Sequence, residues 1–133
     1  MTDLAGLRTD MRGSASLDVT EAHSAIALGS GNIRVFATPM MIALMEAAAV
    51  DCIERHLPEG TTSLGTHLDV SHRAATPIGA RVIATAVLKK IEGRTLTFAV
   101  EARDSWEIIG SGTHTRAVVE RARFEDKLSR KQA

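Results

Sequence analysis

The sequence predicts an α+β fold in which one antiparallel sheet of about five strands curls around a single long apolar helix. Three observations carry this. One helical segment is apolar on nearly every side, almost everything after it alternates apolar and polar residues with a period of two, and short turns join the alternating segments. At 133 residues the chain matches one domain over its whole length, with a polar tail at 120–133.

The first strand is expected where Ala15, Leu17 and Val19 alternate with Ser14, Ser16 and Asp18. A long connection follows, in which Gly29-Ser30-Gly31 reads as a flexible stretch. The helix opens at Thr38-Pro39: a residue before proline is pushed out of the helical region, Thr is a good N-cap, and Pro suits the first helical position. It runs through Met40, Ile42, Leu44, Ala47, Val50 and Ile53 to about Leu57, where Pro58-Glu59-Gly60 stops it. Glu46 is the one polar side chain in its first three turns, so the helix must be surrounded rather than laid on a surface. Strands follow in which Leu64, Thr66, Leu68 and Val70, then Val82, Ala84, Ala86 and Leu88, then Leu96, Phe98, Val100 and Ala102 mark one face each. Glu92-Gly93 turns a hairpin, and Asp104-Ser105 turns into a last strand from Trp106 to Val119. A curved sheet wrapped around one helix is the hot-dog arrangement. It leaves a sheet edge open, which edge-to-edge pairing in a homodimer would close.

Sixteen basic and sixteen acidic side chains cancel, which removes the general field that attracts nucleic acid or an anionic membrane. With three Phe, one Trp and no Tyr there is little to stack bases on, so neither nucleic acid nor membrane is an expected partner. The lone Cys52 excludes an internal disulfide framework and fits a cytoplasmic protein. Met1 to Gly13 lacks the apolar core of a secretory signal, and the apolar run around Met40 to Val50 is too short to cross a bilayer.

Glu46 is the most informative residue. Among Leu44, Met45, Ala47, Ala48 and Ala49 its carboxylate loses water, which costs several kcal/mol unless it is paired. Desolvation disfavours the charged form, which is how catalytic carboxyls are commonly tuned; the structural alternative is a salt bridge to an arginine such as Arg116. Thr38 lies eight residues earlier, within a quarter turn of Glu46 and two turns away, and a side chain leaning toward the helix N-terminus narrows that gap. The Thr38 hydroxyl is equally explained by capping. His72, in Val70-Ser71-His72-Arg73 at a strand end, reads as either structural or reactive, as do His23, His56, His67 and His114. No two of these five have the spacing of metal ligands, so no metal site is expected. Cys52 is expected to pack inertly.

Val35-Phe36-Ala37-Thr38, Leu44-Met45-Glu46, Ser63-Leu64-Gly65-Thr66, Val70-Ser71-His72, Gly112-Thr113-His114 and Arg116-Ala117-Val118 together resemble the fluoroacetyl-CoA-type thioesterases of the hot-dog fold. The likeness covers most of the chain. It implies an acyl-CoA thioesterase whose catalytic Thr, Glu and His match Thr38, Glu46 and His72, with a backbone N–H donor to the thioester oxygen at Gly65. Coenzyme A enters as part of the substrate and no separate cofactor is implied. Phe36 and Met41, with Met40 and Met45, are expected to wall an adaptable acyl pocket, and Arg116 to contact substrate. One departure stands out. The fluoroacetyl-specific member has a phenylalanine-bearing lid before this first block, whereas here Gly29 to Arg34 contains no aromatic residue. A short to medium acyl group without preference for fluorine is therefore expected.

In the scheme the resemblance implies, Glu46 attacks the carbonyl or deprotonates water, Thr38 orients the reacting group, and His72 serves as acid/base partner. Two other readings remain open. An acyl-thioester hydratase or dehydratase would want an Asp/His pair in an Asp-x-x-x-x-His type motif, which is not expected in this sequence, and a non-enzymatic protein would bind acyl-CoA or a small ligand without turnover.

Overall fold

The computed structural model describes residues 4–131. Strand β1 (Arg12–Asp18) is followed by a 3₁₀ turn at Glu21–His23 and a four-residue helix α1 (Ala25–Leu28). Helix α2 (Thr38–Ile53) ends in a second 3₁₀ turn, Glu54–His56. Strands β2 (Thr61–His72), β3 (Arg81–Glu92), β4 (Thr95–Arg103) and β5 (Ile108–Glu120) precede a C-terminal helix α3 (Arg121–Ser129). The sheet order is β1-β3-β4-β5-β2 and every neighbouring pair is antiparallel, so β1 and β2 are its edges. The expected α+β hot-dog architecture is present.

Helix α2 lies mainly across β1 and β3. Its buried residues, Met41, Leu44, Met45, Ala48, Ala49, Cys52 and Ile53, follow the three-and-four spacing of a single stripe. The chain therefore covers one face of a helix that is apolar all round. On the other face Ala43 and Ala47 are exposed and Ile42, Glu46 and Val50 are half-buried, contrary to the expectation that the helix is surrounded within its own chain. β1 passes so close beneath α2 that a Cβ on Gly13 would overlap the Ala48 carbonyl oxygen and the Cys52 nitrogen. No helix among the described residues is long and apolar enough to cross a membrane.

Four local expectations differ from the structure. Ala37, not Thr38, is the N-cap of α2: the Ala37 carbonyl accepts from the amides of Met40 and Met41, at 3.1 and 3.0 Å, and no side chain caps the helix. The flexible connection begins with α1, ended by Gly29 in the left-handed region (φ 70°), where a residue without Cβ is unstrained. Its far end is tied by a bidentate ion pair in which Arg34 donates to both Glu21 carboxylate oxygens at 2.6–2.9 Å. The last strand starts at Ile108 rather than Trp106, because Asp104 Oδ1 accepts from the amides of Trp106 and Glu107 and holds both in a turn.

The fourth difference matters most for function. The alternation read across Leu64, Thr66, Leu68 and Val70 is interrupted by a bulge between Gly65 and His67, where Thr66 is the extra residue against β5. Before the bulge the odd positions Ser63 and Gly65 face α2 and β5; after it, Val70 and His72 turn inward. Seven positions separate Gly65 from His72, so a regular strand would place them on opposite faces.

Candidate active site

A cleft of about 320 Å³ opens beside the N-terminus of α2, between segment 30–36 and a stretch made of His72 at the end of β2 and residues 73–75 after it. Phe36, 1% exposed, forms its floor, and Thr38 and His72 line it. Freed from capping, the Thr38 hydroxyl lies 2.7 Å from His72 Nδ1. The His72 Nε2 is buried without a hydrogen-bond partner among the described residues. Burial holds the His72 pKa below the ordinary histidine value, partly opposed by a backbone contact at Ala74, so the ring is neutral near pH 7.

Glu46 belongs to a second group of side chains on the open face of α2. Its Oε2 lies 3.5 Å from Arg116 Nη1 and 3.9 Å from His114 Nε2, both on β5. Gly65 of β2 completes the group, because a Cβ there would overlap Glu46 Oε2 and stand 3.0 Å from the His114 ring. The Glu46 side chain is 37% exposed, whereas His114 is fully buried. His114 Nδ1 lies 2.9 Å from the His67 carbonyl oxygen, which can only accept, so Nδ1 carries the proton. Nε2 is then a lone pair that accepts from Arg116 Nη1 at 3.2 Å. Burial, reinforced by the Arg116 charge, keeps this ring neutral, against smaller opposing contributions from the His67 carbonyl and Glu46. The site thus presents a carboxylate beside a buried guanidinium, over a strand backbone with no side chain in between.

Thr38 and Glu46 are not brought into contact within the chain. Eight residues of helix separate them, about 12 Å at ~1.5 Å per residue, and each has a different partner. Met41 does not line the cleft. It is fully buried, with its sulfur packed against Gly110. Arg116, 6% exposed, turns its donors toward Ser63, His114 and Glu46. His114 is the residue that sequence reasoning passed over as one histidine among five. The available signal was its parity with Arg116 and Val118 on the inward face of one strand. Contrary to the expectation that no Asp-x-x-x-x-His motif is present, the spacing occurs at Asp18–His23 and Asp51–His56, but Asp18 pairs with Arg81 and Asp51 with the Ser14 amide and Arg55, apart from either group. Among the described residues, no three His, Cys, Asp or Glu side chains converge as a metal site would require.

Compared with known proteins, residues 19–122 match the family of fluoroacetyl-CoA-specific thioesterases. The chain belongs to this family. A fluoroacetyl-CoA thioesterase from Streptantibioticus cattleyicolor is 47% identical over 97 residues, 73% of this chain and 70% of that protein. Among solved structures, the fluoroacetyl-CoA thioesterase FlK superposes with a TM-score of 0.90 at 38% identity, covering 96% of this chain and 98% of that one. A threonine-to-serine variant of FlK in complex with acetyl-CoA superposes equally well, TM-score 0.90 at 37% identity, over 96% and 100% of the two chains. A thioesterase-superfamily protein from Thermus thermophilus is more distant, at 26% identity and a TM-score of 0.86 over 92% and 91%. The fold of this fluoroacetyl-CoA thioesterase family member is therefore shared from close relatives to remote ones.

Proposed function

We propose that the protein hydrolyses an acyl-CoA thioester, with Glu46 as nucleophile or general base, Thr38 and His72 as an orienting and proton-transferring pair, and the Gly65 N–H as donor to the oxyanion. The observation that carries this reading is the contact between Glu46 and the bare backbone of Gly65. A thioester carbonyl lying on that backbone would have the carboxylate beside its carbon and a peptide N–H within reach of its oxygen. The kinship with thioesterases whose structures hold acetyl-CoA or coenzyme A supports the substrate class.

In the general-base route the Glu46 carboxylate takes a proton from water as the water oxygen bonds to the carbonyl carbon. Collapse of the tetrahedral intermediate breaks the C–S bond, and the proton passes to the departing thiolate. In the nucleophilic route Glu46 Oε bonds to the carbon first, the C–S bond breaks and the thiolate leaves and takes up a proton, and water then cleaves the anhydride to release the carboxylic acid and restore the Glu46 carboxylate. His72, held neutral by burial, accepts or returns a proton in either case. Neither route needs a metal or a separate cofactor. Substrate of this kind and the reduced, buried Cys52 fit a cytoplasmic enzyme.

The working unit is a homodimer in this proposal. Two features support it: the bare β2 edge, and the half-exposed face of α2 on which Glu46 sits among Ile42, Ala43, Ala47 and Val50. With about 12 Å between Thr38 and Glu46 on one helix, each site combines Thr38 and His72 of one protomer with Glu46 of the other. The test is to mix Thr38→Ala with Glu46→Gln after unfolding and refolding them together. Each variant alone loses at least ~10²-fold in kcat. Random pairing makes half of the dimers mixed, each with one intact site, so the mixture recovers roughly a quarter of wild-type activity. Recovery of none, with mixed dimers present, means that each site is built from one chain.

A further inference from the structure

A second carboxylate stands behind Arg116. Glu54, the first residue of the 3₁₀ turn that ends α2, accepts from the hydroxyls of Thr62 and Ser63, the latter at 2.9 Å, and from the Ser63 amide at 3.3 Å. Ser63 Oγ has one hydrogen and gives it to Glu54, so its lone pairs face Arg116, whose Nε–H donates to it at 2.8 Å. Arg116 Nη2 donates to the Ser63 carbonyl at 3.1 Å. The flat guanidinium is thereby held along one edge, and the chain of hydrogen bonds runs in one direction, Arg116 to Ser63 to Glu54.

The other edge shows what this anchoring does. Nη1 stands 3.5 Å from Glu46 Oε2, well beyond the ~2.7–2.9 Å of a charge-assisted hydrogen bond between free partners. Nη1 donates to His114 Nε2 at 3.2 Å and does not close that gap. The guanidinium is shared between two carboxylates, Glu46 and Glu54, both of which oppose the effect of burial on its charge.

We propose that Glu54 is a positioning residue that, through Ser63, holds Arg116 back from Glu46. Glu46 then feels a positive charge without surrendering its lone pairs to it, and they stay free for water or the thioester carbon. This rests on the thioesterase reading of Glu46. Glu54 and Ser63 touch neither substrate nor reacting atoms.

The experiment measures thiol release from acetyl-CoA and butyryl-CoA by the dimeric full chain. Glu54→Ala and Ser63→Ala should each lower kcat about tenfold while KM stays within about twofold. Combined, they should be no worse than either alone, because both cut the same chain of contacts. Ser63→Thr, which keeps the hydroxyl, should retain kcat, and a crystal structure of Glu54→Ala should show Arg116 and Glu46 in direct hydrogen-bond contact. If Glu54→Ala does not fold, Glu54→Gln keeps the bulk and one acceptor and takes its place. A lowered melting temperature with kcat within twofold of wild type makes Glu54 merely structural and overturns the proposal, as does full additivity of the two substitutions. Failure of the underlying reading looks different: wild type releases no thiol, or Glu46→Gln stays active.

Discussion

Glycine 65 carries information only by what it lacks. Any Cβ there meets Glu46 Oε2, and that oxygen is the tip of a flexible side chain, so the clash can be relieved without moving backbone. Gly65→Ala should therefore fold with a melting temperature within a few degrees of wild type, yet lose ~10²-fold in kcat, because the carboxylate is displaced by the order of an ångström from its place. Thermal unfolding and thiol-release kinetics on one preparation check this; an active Gly65→Ala variant would remove the observation on which the functional proposal rests. Glu46 itself was legible in the sequence, as a charge in an otherwise apolar helix. His72 was not separable from the other histidines by pattern, because its distinction is a 2.7 Å contact with a residue 34 positions away. His114 and Ser63 were invisible for the same reason: a strand's neighbours are set by pairing, and sequence periodicity reports only which face a side chain is on.

At the scale of elements, the helix and the four strands after it could be read from periodicity, and the differences arose where side chains or backbone overrode it. Asp104 captured two amides that the alternation assigned to a strand, and Ala37 took the capping position that composition assigned to Thr38. Close approach of elements was not legible at all. Gly13→Ala would drive a Cβ into the backbone of α2, where no side-chain tip can yield, and should cost about 3 kcal/mol in urea unfolding. A near-neutral change would mean that β1 and α2 separate easily. The segment over the cleft leads to a prediction about selectivity. Its residues Ser30, Gly31 and Asn32 are small or polar, and Ile33 is 67% exposed, so no packed ring shuts the cleft from water. An apolar pocket separates ligands by about 1–3 kcal/mol per methylene and discriminates a single small substituent poorly. kcat/KM for fluoroacetyl-CoA should thus be comparable to that for acetyl-, butyryl- and phenylacetyl-CoA. A lead of more than ~10³-fold would place selectivity in the residues around Thr38, Glu46 and His72 instead.

For the whole molecule, the two histidines of the site make stability depend on pH. Burial lowers the pKa of His114 and of His72 in the folded state below the 6.5 of the unfolded chain. As pH falls through 6.5 the unfolded chain takes up protons that the folded one refuses, so stability, constant above this point, declines. For fully buried His114 the slope is about 1.4 kcal/mol per pH unit per proton until the folded-state value is reached. His114→Asn, which can keep the donor to the His67 carbonyl, should flatten the decline between pH 6.5 and 5 in a series of thermal melts; an unchanged slope would show that other groups carry it. Asp104 acts in a lower window. Burial alone would raise it, but the amides of Trp106 and Glu107 and the Thr76 hydroxyl hold it below its ordinary 3.8, so its contribution is present above that value and lost as pH drops through the folded-state one.

The bulge at Thr66 also bears on how this strand can change over generations. Thr66 side-chain chemistry amounts to one exposed hydroxyl bonded to the Thr115 carbonyl at 3.2 Å, so many substitutions there are tolerable. Loss of the residue is tolerable too: deleting position 66 removes the bulge and leaves six positions between Gly65 and His72 in a regular strand, so the two still share a face. A single residue lost or gained elsewhere between 65 and 72, with the bulge kept, is another matter, for then either Gly65 leaves Glu46 or His72 leaves Thr38. Insertion of two preserves the facing and alters only the reach. What inheritance must conserve at this point is a count, odd against even with the bulge included, and not the identity of any side chain.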